Sequence, residues 1–159
     1  NIIINGIINI VNNLKITEDD FKAAIGGFKR AHTKVTDEIL SEWRKTNGFG
    51  KAKAAYAPRG GTYGIDVLGR DFERGRILVA VEVDTWPTPI QSWMKLSDIR
   101  AENKIWIYIT NDKRAKERFQ EAEREIRYLL SSRHEDANTF GNFILIMKTP
   151  KEFEVKKIF

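Results

Sequence analysis

The sequence predicts an α/β domain with a mixed central sheet and helices on its faces. Three observations predict it. Between residues 53 and 83, three short strand-like stretches follow one another closely enough to form an antiparallel meander. Further on, helical patterns alternate with continuous apolar runs at 104–110 and 143–147, as expected of strands buried on both faces. The chain has 159 residues with an ordinary apolar fraction and no repeat or low-complexity linker, so one domain spanning 1–159 is expected.

The elements are read in order. Ile3, Ile4, Ile7, Ile8, Val11 and Leu14 follow helical spacing and predict an amphipathic helix, although β-branching and Gly6 leave a buried strand as the alternative. Residues 1–16 are thus a helical extension or a candidate homodimer contact, since an apolar stripe of that size usually finds a partner. Thr17, followed by Glu18, Asp19 and Asp20, is a capped helix start that Gly26-Gly27 breaks or bends. A second helix places Val35, Ile39, Leu40 and Trp43 inward and stops at Asn47-Gly48.

The period then changes. Residues 53–57, 63–68 and 77–83 read as strands, the last two joined by a hairpin connection over 69–75. Residues 87–102 read as a helix with prolines near its start. Residues 104–110 form a strand, 112–132 a long charged helix with Phe119, Ile126 and Leu129 or Leu130 inward, 143–147 a second buried strand, and 152–159 a last edge strand. The unit from 104 to 147 makes a parallel, right-handed crossover.

Composition excludes several functions. Without cysteine there is no thiolate zinc site, iron–sulfur cluster, cysteine nucleophile or disulfide. Two histidines, His32 and His134, are too few for a multi-histidine metal site. Any metal would be a hard ion held by oxygen ligands: Mg²⁺, Mn²⁺ or Ca²⁺. The isoleucine-rich start is interrupted by asparagines, is too short to span a bilayer and lacks the basic stretch of a signal peptide. The expectation is a cytoplasmic protein without a membrane partner. A net charge of +5 permits a polyanionic partner.

The chemistry concentrates in three acids. Asp66 sits inside the second meander strand, and Glu82 and Asp84 sit at the end of the third. Strand residues two apart share a face, so Glu82 and Asp84 are neighbours, and Asp66 reaches them if the register allows. Acids crowded in apolar sequence repel one another and are costly to bury. A divalent cation relieves both costs and supplies what phosphodiester cleavage requires. The bland alternatives are that Asp84 caps the following turn and that Glu82 pairs with a basic residue of the sheet.

This order of elements, with Asp66 on the second strand and Glu82-Val83-Asp84 on the third, resembles the PD-(D/E)xK nuclease superfamily over roughly residues 37–110. The resemblance implies a restriction endonuclease-like core of helix, three-stranded meander, helix and strand. It implies Mg²⁺ or Mn²⁺ bound by Asp66 and Glu82, with Asp84 a further ligand, and hydrolysis of DNA to leave a 5′-phosphate. The chain departs from the motif where Asp84 stands at the lysine position. In some members the lysine comes from the following helix, which makes Lys95 the candidate to orient water or stabilise phosphorane charge; otherwise Lys95 is a solvated helix lysine. The resemblance also suggests Glu42, with Glu38 one turn earlier, as an additional first-helix metal ligand, and Gln91 as a supporting residue. Read from the residues alone, both glutamates are first of all plain surface residues.

Lys53, Arg59 and Arg70 are the candidate DNA contacts. The loop Arg59-Gly60-Gly61-Thr62 would let a phosphate approach the backbone, or it is a simple turn. The segment Thr85-Trp86-Pro87-Thr88-Pro89 shapes the rim of the site or merely stiffens the connection to the next helix. Alternating charges on the 112–132 helix predict a solvated face. Three functions follow: a Mg²⁺-dependent endodeoxyribonuclease; a non-catalytic nucleic-acid-binding module derived from such a fold, favoured by Asp84; and a protein-interaction subunit whose acids are structural.

Overall fold

The computed structural model describes residues 1–25, 27–45, 54–56, 64–71, 74–132 and 140–159. Among the described residues six strands form one sheet, in chain order from edge to edge, and a separate two-stranded hairpin lies before it. β3 (Ala54–Tyr56), β4 (Val67–Asp71) and β5 (Arg76–Asp84) are antiparallel neighbours, which is the expected meander. β6 (Asn103–Ile109) runs parallel to β5, β7 (Asn142–Lys148) runs parallel to β6, and β8 (Phe153–Lys157) closes the far edge antiparallel. The mixed sheet flanked by helices is therefore as the sequence predicts.

Alternation along the strands divides the molecule into two cores. Val79, Val81, Val83, Ile105, Ile107, Ile109, Ile144 and Ile146 pack with α1 (Ile2–Asn13) and α2 (Arg30–Arg44). Ala80, Trp106, Tyr108, Phe143, Leu145 and Met147 pack with α3 (Ile90–Ser97) and α4 (Ala115–Ser132). The two parallel connections step in one direction across the sheet, and both place their helices on that second face. α2 buries Val35, Ile39, Leu40 and Trp43 as expected, and a Cβ at Gly69 would stand 2.5 Å from the Trp43 ring. Only glycine therefore lets α2 press directly on β4.

Several boundaries differ from the sequence reading. The capping box at Thr17 is present, with the Thr17 N–H donating to Asp20 at 2.8 Å, but the helix it starts is a single 3₁₀ turn over Glu18–Phe21. Chain reversal at Gly27, with φ of 85°, instead builds the hairpin of β1 (Ala24–Ile25) and β2 (Phe28–Lys29). α3 is shorter than the expected 87–102, because after Ile99 the chain turns to pair Ala101 with Ile77 and so enters β6. Asp66 lies just before β4 rather than inside a strand over 63–68. The stop at Asn47-Gly48 falls outside the described residues. Among the described residues no helix is long and apolar enough to cross a membrane.

Candidate active site at the end of β5

Asp66 and Glu82 meet where the β4–β5 ladder runs out, and each replaces a backbone partner of the other strand. The Asp66 N–H donates to Glu82 Oε1 at 3.1 Å, and the Val83 N–H donates to Asp66 Oδ2 at 2.8 Å. Gly64, with φ of 67°, sits in the left-handed region that glycine reaches without strain, two residues before Asp66. Glu82 points to the α3 face with 3% of its surface exposed, and Asp84 is on the same face, half-buried.

The helix after β5 supplies the partners. The inner side of α3 carries Ser92, whose hydroxyl lies 2.5 Å from Asp84 Oδ2 and 3.3 Å from Glu82 Oε2. One turn later Lys95 Nζ lies 3.7 Å from Glu82 Oε2 and 3.5 Å from the Gly64 carbonyl. From β6, the Trp106 indole N–H donates to Asp84 Oδ2 at 2.6 Å, and Trp106 is itself fixed by stacking on Tyr108 and Phe119. From α2, His32 Nε2 approaches Asp66 Oδ1 at 3.2 Å while its ring stacks on Phe28, with centroids 4.4 Å apart.

Burial first, and the neighbouring Asp66 carboxylate second, push the Glu82 carboxyl up to about 8; Lys95 opposes the rise and Asp84 adds to it. The Ser92 hydroxyl has one proton, and the short contact assigns it to Asp84. The longer contact runs from the same hydroxyl toward Glu82 Oε2, so Ser92 stands between the two carboxyl groups.

The structure thus gathers Asp66, Glu82, Asp84 and Lys95, four of the residues singled out from the sequence. It places the others elsewhere. Glu42 pairs with Lys45 at 2.7 Å and, with Glu38, lines a groove of about 520 Å³ between α1 and α2. Ten residues separate it from His32 along α2, about 15 Å at the rise of an α-helix. Of α2, it is the first turn that meets the acids, so Glu42 stands apart from them. Asp84 keeps its place in the site, where the Ser92 hydroxyl and the Trp106 N–H both contact its Oδ2. Gln91 is exposed on α3, one turn before Lys95. Arg70 is half-buried in β4, with its Nε buried and without a hydrogen-bond partner among the described residues. Lys53, Arg59 and His134 lie outside the described residues. Trp93 is buried in the core, as expected.

His32, Ser92 and Trp106 were not foreseen as site residues. Trp106 carried a usable signal: an indole N–H inside a continuous apolar strand needs a partner, and the register sets Trp106 beside Glu82. Ser92 was legible as the residue one turn before Lys95. Nothing local to His32 shows that the first turn of its helix abuts Asp66. Among the described residues no three His, Asp or Glu side chains form a ready-made metal cluster. Asp66 and Glu82 alone form a two-carboxylate pair, and Mg²⁺ is commonly held by one or two carboxylates together with substrate phosphates. No family model matches the chain, and no curated protein or solved structure does.

Proposed function

We propose that the protein is a metal-dependent endonuclease that hydrolyses DNA phosphodiester bonds on a restriction endonuclease-like core of the PD-(D/E)xK type. The observation that carries this reading is Lys95 Nζ at 3.7 Å from Glu82, beside the Asp66–Glu82 pair. Asp84 occupies the motif's lysine position, and a lysine from the next helix returns an ammonium to the site.

The donor set fits a hard cation. Three carboxylates crowd one another, and Glu82 is held near 8 by burial and by the charge on Asp66. Asp66 and Glu82 would hold Mg²⁺ or Mn²⁺. Bound there, the ion would polarise the phosphate and acidify a bound water. Lys95, with 42% of its side chain exposed, is open to a phosphate oxygen arriving from solvent and would stabilise charge developing on it. His32 holds one oxygen of Asp66 and the Val83 N–H holds the other, so the Asp66 carboxylate is fixed before substrate arrives. Ser92 and Trp106 fix Asp84, which in turn orients Ser92 against Glu82. A homodimer would let so small a chain cut both strands, and a cytoplasmic setting accords with this reading.

The test is cleavage of supercoiled, linear duplex, single-stranded and branched DNA with Mg²⁺ or Mn²⁺, together with melting temperature as the metal is titrated. The expected result is cutting by the native protein and a metal-dependent rise in its melting temperature. Both should be lost in Asp66→Asn and Glu82→Gln variants that remain folded. Metal stabilisation and DNA binding without cutting would favour the non-catalytic module, to which the engagement of Asp84 by Ser92 and Trp106 lends its weight. No metal effect at all would leave the acids structural.

A further inference from the structure

Large apolar side chains are exposed around the carboxylates to an unusual degree. Phe28, Trp86, Ile90 and Met94 are 43%, 71%, 43% and 51% exposed. Phe28 stacks on His32, which contacts Asp66. Trp86 follows Asp84 by two residues, and Lys29 Nζ lies 5.9 Å from its ring centroid, so the β1–β2 hairpin and the segment after β5 stand side by side. Ile90 and Met94 are one turn apart on the outer side of α3, with Met94 next to Lys95. These four come from three separate parts of the chain, yet each is tied to an element that carries the site.

Solvation alone disfavours such a rim, and the fold holds it in place. Trp86 precedes Pro87, which restricts its backbone, and the Lys29 ammonium over its ring ties the indole to the β1–β2 hairpin. Phe28 leans on a buried imidazole and offers its other face outward. Cations are interleaved with these side chains: Lys29 over Trp86, and Lys95 next to Met94 in α3. Aromatic faces alternating with positive charge match a nucleic-acid strand, whose bases stack while its phosphates seek cations. In a duplex each base face is covered by its neighbours. Only an unpaired, unstacked base could lie on Trp86 or Phe28.

We infer that Trp86 and Phe28 form a stacking platform for unpaired bases of single-stranded DNA at the carboxylate site, with Lys29 and Lys95 following the phosphates. The choice of DNA rests on the nuclease reading above, and the inference deepens it: the strand presented to Asp66 and Glu82 is single, as in a free end, a flap or a branch.

The experiment reads binding apart from cleavage. Fluorescence anisotropy in the presence of a chelator compares a short labelled deoxythymidine oligonucleotide, a duplex of the same length and the ribose equivalent. The single DNA strand is expected to bind about tenfold or more tightly than the duplex. Trp86→Ala and Phe28→Ala should each weaken it about fivefold or more, with Trp86→Phe retaining most of the affinity. Duplex binding should change less than about twofold, because base faces are not exposed there. Melting temperature monitors the fold of each variant. Equal or tighter duplex binding, unchanged affinity in both alanine variants, or tighter binding of the ribose strand would overturn the inference. Cleavage with Mg²⁺ or Mn²⁺ is scored separately. Platform-dependent binding with no DNA cut removes the nuclease reading and leaves the platform. Duplex cleavage that Trp86→Ala does not alter does the reverse.

Discussion

Glu82 and Lys104 make an instructive pair. They lie on adjacent strands and on the same face of the sheet, with Lys104 paired to Ala80, one alternation before Glu82. Only about 7 Å of strand rise separates their positions. Glu82 is 3% exposed and Lys104 is 1% exposed. Burial, as the largest cause in each, drives both toward about 8, the acid upward and the base downward. Yet Glu82 has the Asp66 N–H, Ser92 and Lys95 around it, whereas Lys104 Nζ has no hydrogen-bond partner among the described residues. A buried ionisable group is therefore not a site by virtue of its perturbation. What marks Glu82 is convergence: four elements send groups to one place.

The largest test of that contrast is activity. Glu82→Gln and Asp66→Asn keep size and most hydrogen bonds, and each should lower DNA cleavage by about 10³-fold, comparable with loss of a principal transition-state stabiliser. Lys104→Met, although it alters an equally buried group, should leave the rate within about twofold, since nothing connects it to Asp66. Initial rates of plasmid nicking decide this. A rate loss in Lys104→Met as large as in Glu82→Gln would break the comparison.

Stability against pH sharpens it next, because the two shifts have opposite signs. Glu82 ionises near 8 in the folded chain and at its ordinary 4.5 when unfolded. The folded chain holds the extra proton, so this group's contribution is complete below pH 4.5 and is lost as pH rises to about 8. Lys104 ionises near 8 when folded and at 10.5 when unfolded. There the unfolded chain holds the extra proton, so stability recovers between about 8 and 10.5. Each limb has a limiting slope of about 1.4 kcal/mol per pH unit. Metal-free denaturant unfolding should therefore show a minimum near pH 8. Glu82→Gln should flatten the falling limb and Lys104→Met the rising one; a native profile without the minimum would disprove the assignment.

At pH 7 the same Lys104→Met exchange should stabilise the fold by about 1–3 kcal/mol, since it removes an unpaired buried charge and keeps the unbranched chain that fills the space. Urea unfolding measures this directly. A destabilised variant would mean that Lys104 has a partner of consequence.

Much of this architecture was legible in the residues. The continuous apolar runs became β6 and β7, the charged helix became α4 with its Arg127–Glu123 pair, and Asp66 and Glu82 did meet. What was not legible depends on contacts distant in sequence. The capping box at Thr17 carries the same local signal whether one turn follows or four, and the turn at Gly27 decides the outcome. Asp66 reads as a strand residue, and only the ladder's end shows that its carboxylate substitutes for a strand partner of Val83. Glu42 and His32 share one helix, and the sequence could not say which end of it faces the acids. Lys104 was hidden in an apolar run, where a single lysine would ordinarily reach out to solvent.

Ser92 provides the smallest and most discriminating change. Its hydroxyl touches both Asp84 and Glu82, so Ser92→Ala removes one donor from Asp84 and leaves the Trp106 N–H as the other. The cost in stability should be about 1 kcal/mol, because Asp84 is half-buried and keeps one strong partner. Cleavage should fall only about tenfold, since Asp66, Glu82 and Lys95 remain in place. If Asp84 were instead a metal ligand held back by Ser92, freeing it should raise the melting-temperature gain on adding Mn²⁺ above that of the native protein. If Asp84 serves to orient Ser92 against Glu82, that gain should shrink. A metal titration of the two proteins side by side therefore separates an acid that binds from an acid that positions, at the one position where this chain departs from the motif.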